Sequence, residues 1–288
     1  MHYRALIQNR KSVRAFSDKE VPYRLLEEIS AYYCTSVRRL IPELETKLYF
    51  FGTNTREALE GAAGYNSFLV GSPQYLVLMS EPGDHAGLNA GYMMEDLVLH
   101  LTDLELDSCW LTFTDSDHVK EALGIDSDMD VAAIVAFGYG KKTVKRLRLN
   151  ILSMSNVDVR AKHRYMEPKR GVSELVYLNT WGNSHNVIDH IGFFDDMLWE
   201  SLYAVSLAPS YLNRQAYGFV IHDGAISLIR RPDEFTTEAD GALSLGIALL
   251  HFSAVAEEWA GRIRWALGSD AARLPLPEGH QVIATCVL

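Results

Sequence analysis

Apolar positions along this chain follow two patterns, a beat near 3.6 residues and short continuous runs, and together these predict most of its elements. Leu25, Leu26, Ile29 and Tyr33 return at helical spacing after Pro22, whose missing amide suits a first helical turn. Tyr75-Leu76-Val77-Leu78-Met79 is an apolar run bounded by Pro73 and Pro82-Gly83, which predicts a buried strand. Over 88–104 the spacing predicts a helix with Met94, Leu97, Leu101 and Leu104 on one side, and Gly87 and Gly91 leave room for a second backbone or a flat ligand. Residues 131–137 read as another strand, ending in Gly138-Tyr139-Gly140. Later, Phe194, Leu198, Ser201, Leu202 and Val205 keep a helical beat that stops at Pro209. Tyr217–His222 and Ala225–Arg230 flank Asp223-Gly224, a strong hairpin signal because both turn residues tolerate positive φ. An apolar helix over 241–258, with Leu243, Ile247, Leu250, His251 and Ala254, leads to Trp265 and a final strand over 282–287. Residues 41–51 predict no single element, 52–64 read as a loop with a short helix, and 150–167 lack strong periodicity. Pro168-Lys169-Arg170-Gly171 reads as a linker.

One order of elements occurs twice. Helix 91–104, Trp110 and strand 131–137 parallel helix 241–258, Trp265 and strand 282–287, a degenerate internal duplication. The 288 residues suffice for one large domain or two ordinary ones, and 48% hydrophobic composition is ample for a packed core. A net charge of -10 opposes any general affinity for nucleic acid or anionic membranes. Cys34, Cys109 and Cys286 form no CxxC pair, and the ten histidines show no metal-ligand spacing, so neither a disulfide framework nor a metal site is expected. A reducing cytoplasm fits, and no membrane anchor is expected.

Residues 10–16 read Arg-Lys-Ser-Val-Arg-Ala-Phe, three basic side chains and a hydroxyl directly before an extended segment. Such a group can hold a phosphate through charge-assisted hydrogen bonds worth about 1.5–3 kcal/mol each, although short basic runs are commonly solvated surface. A second basic run, residues 141–148, reads on its own as a solvated linker.

With Val21-Pro22 opening a helix behind it, the 10–16 run resembles the first motif of the FMN-dependent nitroreductase family. That family's second signature, Ala-Pro-Ser at a helix end followed by Asn-x-Gln, is matched by Ala208-Pro209-Ser210-Tyr211-Leu212-Asn213-Arg214-Gln215. It stands in the second half of the chain, whereas residues 34–40, where ordinary members carry it, lack it. This placement resembles a tandem variant made of two half-complete nitroreductase domains. Residues 105–110 resemble the family's GLGSCW segment with Glu105 and Asp107 replacing its glycines, and Ala216-Tyr217 stands where the family has Pro-Trp.

The resemblance implies an α+β, nitroreductase-like fold. Two tandem degenerate copies would form an intramolecular pseudo-dimer of mainly antiparallel sheets flanked by helices, residues 1–165 carrying the basic motif and 166–288 the Pro-Ser-x-x-Asn loop. In the family the flavin lies between those two motifs across the dimer, so one FMN per chain is implied. Arg10, Lys11, Ser12 and Arg14 would bind it from the first half, with Arg10 and Ser12 at the phosphate and ribityl end and Arg14 at the N1 and O2 edge. Pro209, Ser210 and Asn213 would close over it, Gln215 would orient their loop, and Arg146 or Arg148 would complete the phosphate cradle. Asn66 would line the site, and no side chain is implied as a catalytic acid or base. The implied chemistry is hydride transfer from NAD(P)H through flavin to a small conjugated acceptor such as a nitroaromatic or quinone, in a monomer acting as its own dimer. The alternative is a flavin-binding carrier or interaction protein without turnover; a third reading keeps FMN but changes the reaction.

Overall fold

A computed structural model describes residues 1–64, 70–141, 147–153, 156–161, 169–184, 196–268 and 273–287. The first half opens with helices α1 (Tyr3–Asn9) and α2 (Tyr23–Thr35), strand β1 (Thr46–Phe51), the short α3 (Thr55–Ala58) and β2 (Ala63–Gly64). It continues with β3 (Gln74–Ser80), the long α4 (Ala86–Asp103), β4 (Asp107–Phe113), α5 (Ser116–Leu123) and β5 (Asp130–Gly138). These strands form an antiparallel sheet in the order β1-β3-β5-β4-β2. The run read as a buried strand is β3, and its side chains alternate as a pleat requires. Tyr75, Val77 and Met79 join one apolar cluster, while Leu76 and Leu78 join the other, which includes Met93, Met94 and Leu97 of α4.

Strands β6 (Leu147–Ser153) and β7 (Asn156–Ala161) follow as a separate two-stranded hairpin. The second half then runs α6 (Val172–Leu175), β8 (Val176–Leu178), α7 (Asp196–Ser206), β9 (Tyr217–His222), β10 (Ala225–Arg230), α8 (Glu238–Ala260), β11 (Ala266–Leu267) and β12 (Gln281–Val287). Its sheet has the order β11-β12-β10-β9-β8, antiparallel except where β8 joins β9. The β9–β10 hairpin turns at Asp223 and Gly224, both at positive φ, as a two-residue turn of this type demands.

The order β9-β10-β12-β11 repeats β1-β3-β5-β4, and α8 occupies in the second half the place of α4 in the first. The two helices cross each other at matching sequence. Both carry Leu-x-x-Gly, as Leu88–Gly91 and Leu243–Gly246, and each glycine meets the partner's leucine carbonyl. A methyl group on Gly91 would lie 2.2 Å from the Leu243 oxygen, and one on Gly246 would lie 2.0 Å from the Leu88 oxygen. The residue after each leucine repeats the symmetry. Asn89 Oδ1 accepts the Leu40 and Ile41 amides at 3.0 Å, and Ser244 Oγ accepts the Tyr211 amide at 3.2 Å. Each helix therefore holds the loop that follows the outer helix of its own half, α2 or α7. The chain is thus an intramolecular pseudo-dimer, with the reciprocal contact that a twofold interface produces.

A second network ties the halves. Asp96 of α4 accepts from Tyr3 Oη at 2.9 Å, Tyr32 Oη at 2.8 Å and the Arg38 amide at 2.9 Å. Arg38 in turn donates to Tyr3 Oη at 3.0 Å and to Glu257 of α8 at 2.6 Å. Burial pushes the Tyr3 phenol up to about 12, reinforced by the Asp96 charge beside it. Helix α8 is long and apolar enough to span a membrane, yet 78% of its apolar window is buried within the protein, as in a core helix.

Two stretches differ from the sequence reading. The unassigned 41–51 region contains β1, an edge strand whose two faces both meet apolar neighbours. Tyr49 and Phe51 pack on one cluster and Leu48 and Phe50 on the other, leaving no polar alternation to read. The aperiodic 150–167 region contains most of the β6–β7 hairpin, which belongs to neither main sheet.

Candidate functional site

The 10–16 segment leaves α1 and runs beside the sheet. Ser12 pairs with Ser108 in a single parallel bridge, the Val13 amide donates to Ser108 O at 2.8 Å, and Phe16 pairs with Gly140. Val13 and Phe16 fill the core beneath, which fixes the segment to β4 and the end of β5. Where the sequence has lost glycines, the backbone is kept by other means. Glu105 adopts φ 59, and Asp107 accepts the Gly140 amide at 2.9 Å.

The Arg10 side chain is only 7% exposed. Its Nη1 donates to Ser12 Oγ at 3.4 Å, while its Nε stands 3.5 Å from Glu95 Oε1 and has no hydrogen-bond partner among the described residues. Lys11 and Arg14 are exposed. Arg14 and Arg10 both favour ionisation of the Cys109 thiol, but burial wins and pushes it up to about 11, so this cysteine is a core residue.

In the second half, the loop after α7 is held from within. The Ser210 hydroxyl accepts the Gln215 amide at 3.0 Å. Gln215, fully buried, donates to Ser206 O at 3.2 Å and accepts the Arg170 amide at 2.7 Å. Leu212, Asn213 and Gln215 all take positive φ, an unusual concentration for residues other than glycine. The hydrogen bonds of Ser210 and Gln215 hold that backbone in place.

Three residues that sequence reasoning did not single out connect these motifs. Glu95 of α4, fully buried, accepts from Trp110 Nε1 at 2.8 Å and faces His251 Nε2 of α8 at 3.0 Å. His251 Nδ1 lies 2.9 Å from Ala204 O; a carbonyl can only accept, so Nδ1 carries a proton. Lys169, read in the sequence as linker, reaches the loop after α7: its Nζ donates to Leu207 O at 2.5 Å and Ala208 O at 3.1 Å, immediately before Pro209. Burial and the neighbouring Arg10 bring this lysine down to about 7, against the opposing pull of Glu95. The missed signal was a Glu95-Asp96 pair inside an apolar helical run, matched by a histidine in the corresponding helix.

Beside this cluster lies an open cleft between the halves, lined by Trp110, Thr112, Pro209, Tyr211, Leu243 and Asp240 among others. Burial raises the Asp240 carboxyl above its ordinary range. The structure therefore brings Arg10, Ser12, Pro209, Ser210 and Gln215 to one region between the halves. Arg146, Asn66 and the Arg148 side chain lie outside the described residues. Among the described residues no group of His, Cys, Asp and Glu could hold a metal ion.

Burial alone would raise the Glu95 carboxyl, but His251, Arg10 and Trp110 hold it below its ordinary value of 4.5. A depressed carboxylate contributes stability that is present above the ordinary value and lost as pH falls through the folded one. Glu95→Gln should cost about 1–3 kcal/mol near neutral pH, the range for a buried group left poorly satisfied. Denaturant unfolding of both proteins between neutral and acid pH should show a shallower acid loss in the variant.

A family model described as "Putative TM nitroreductase" matches residues 3–256. Among solved structures, the chain is similar to a "putative nitroreductase" from Thermotoga maritima, with 18% identity and a TM-score of 0.59, covering 100% of this chain and 94% of that one. A nitroreductase family protein from Clostridium novyi shares 20% identity over 49% of this chain and 86% of its own, with a TM-score of 0.43. A nitroreductase with bound FMN from Bacteroides fragilis shares 20% identity over 55% of this chain and 100% of its own, with a TM-score of 0.41. No curated protein matches.

Proposed function

Because the chain belongs to the TM nitroreductase family, we propose that it is an FMN-dependent oxidoreductase passing hydride from NAD(P)H to a small conjugated acceptor such as a nitroaromatic or quinone. The observation that carries this reading is the approach of the two motifs, one from each half: Arg10 reaches Glu95, and Trp110, which donates to Glu95, lines the same cleft as Pro209 and Ser210. The residues present fit the cofactor. Arg10 offers a buried guanidinium whose Nη1 lies beside the Ser12 hydroxyl and whose Nε makes no hydrogen bond among the described residues, donors of the kind a phosphate or ribityl oxygen requires. The adjoining cleft, with Trp110 and Leu243 in its wall, is the kind of space a flat ring occupies.

Bound FMN would supply the two-electron hydride chemistry. The chain's own residues would bind and orient. Arg10, Ser12, Arg14 and Lys11 present cations and a hydroxyl, while Pro209, Ser210 and Asn213 close the opposite side in a loop that Gln215 fixes. Trp110 and Leu243 exclude water from the ring. On this reading the boundary near 165 separates two half-sites, and the monomer is its own dimer. One FMN per chain is expected, because the loop after α2 lacks the Pro-Ser-x-x-Asn pattern and its Arg38 is committed to Tyr3 and Glu257. The three free cysteines suit a reducing, cytoplasmic setting.

Heat release and counting of flavin from the purified protein tests the cofactor. About one FMN per chain is expected, followed by steady NAD(P)H oxidation when a nitroaromatic is added. A protein that stays colourless after soaking in FMN would remove the oxidoreductase reading, and one that binds FMN without oxidising NAD(P)H would leave a carrier.

A further inference from the structure

Among the described residues, the charges buried between the two halves do not cancel. His251 uses Nδ1–H on the Ala204 carbonyl, so the 3.0 Å approach of its Nε2 to Glu95 Oε1 requires one proton between them. Wherever that proton sits, the pair carries no net charge. Glu95 can neutralise one positive charge, and the imidazole already accounts for it. Arg10, and Lys169 whenever it is protonated, therefore remain as neighbouring cations in a largely desolvated place. Lys169 feels the charges of Arg10 from the end of α1 and of Glu95 of α4, with His251 of α8 behind it, and its Nζ contacts the Leu207 and Ala208 carbonyls at the end of α7. The carbonyls take two of its three N–H donors and supply no formal charge. Desolvated cations without a counter-charge are costly, and an anionic ligand removes that cost.

We propose that Lys169, carried by the connection between the halves, forms an oxyanion site with Arg10 and contacts the bound flavin there. This rests on the FMN reading above and adds to it a residue outside both recognition motifs. Two flavin groups have the required chemistry, the phosphate and the oxygen-bearing edge of the ring. Lys169 in the free protein is close to half-charged near pH 7, so a ligand anion must draw a proton onto it at higher pH. Affinity for the ligand should then fall as pH rises above about 7, a range in which the ligand's own phosphate is already fully ionised, its second pKa being about 6.

The test is fluorescence titration of the flavin-free protein with FMN and with riboflavin, for wild type, Lys169→Met and Lys169→Arg, from pH 7 to 9. The expected result is FMN binding weakened about tenfold or more in Lys169→Met, the scale of one charged hydrogen bond. Lys169→Arg should keep most of the affinity and lose the pH dependence, since arginine stays charged. Loss confined to FMN would assign Lys169 to the phosphate, and equal loss with riboflavin would assign it to the ring edge; both support the site. Flavin binding that is unchanged in Lys169→Met, or a flat pH profile in wild type, would reduce Lys169 to a cap on α7 and overturn the proposal. Failure of wild type to bind either flavin would instead overturn the FMN reading on which the proposal stands.

Discussion

Arg10→Ala should weaken FMN binding by about 100-fold or more, enough for the purified variant to lose its cofactor. One charged hydrogen bond is worth about 1.5–3 kcal/mol, and the guanidinium can make two to an oxyanion. The same substitution should change thermal stability little. Glu95 loses only one of the groups that stabilise its charge, because it keeps His251 at 3.0 Å and Trp110 at 2.8 Å. The two readouts separate a ligand-binding arginine from a structural one. Titration by flavin fluorescence should show the loss, and circular dichroism melting should show a midpoint close to wild type. A large drop in melting temperature with FMN affinity retained would mean that Arg10 serves the fold.

Gly246→Val should destabilise the protein by about 4 kcal/mol or more, in the exceptional range for a single substitution. The first added carbon would lie 2.0 Å from the Leu88 carbonyl oxygen and 2.8 Å from the Tyr92 amide nitrogen. These are backbone atoms of a buried helix, so no side chain can swing aside and the helices must separate. Separation disturbs Glu95 and His251, which meet across the same helix pair. Chemical denaturation measures the effect. Gly124→Val makes a useful contrast, because nothing lies within 4 Å of a carbon there; the strain of its φ of 64 is then the only penalty. A Gly246→Val protein as stable as wild type would mean that the close crossing does not hold the halves together.

Much of the fold was readable because its signals are local. The Asp223-Gly224 turn sets the β9–β10 register by itself, and the Tyr75–Met79 run needs no partner to declare a buried strand. Strand β1 was not readable, since both of its faces meet apolar clusters. The site divides in the same way. Its two motifs are contiguous in sequence, so resemblance found them. Glu95, His251 and Lys169 are defined by each other across three distant segments, and a charge within an apolar helix has no visible meaning until its partner is placed. Glu105 shows the reverse case. Its φ of 59 persists where the family pattern has glycine, so the turn is imposed by its surroundings rather than by the residue.

The reciprocal Leu-x-x-Gly crossing also bears on dilution and on divergence. A site shared between separate subunits exists only to the extent that they associate, and it comes apart as their concentration falls. Here the partner is tethered, so assembly is a unimolecular event at a fixed effective concentration. Tethering also removes the demand that one sequence serve both sides of the twofold. Asn89 and Ser244 occupy equivalent places yet hold different loops with different chemistry, and only the loop held by Ser244 carries the Pro-Ser-x-x-Asn pattern. A homodimer must build its two clefts alike, whereas this chain has been free to specialise one of them.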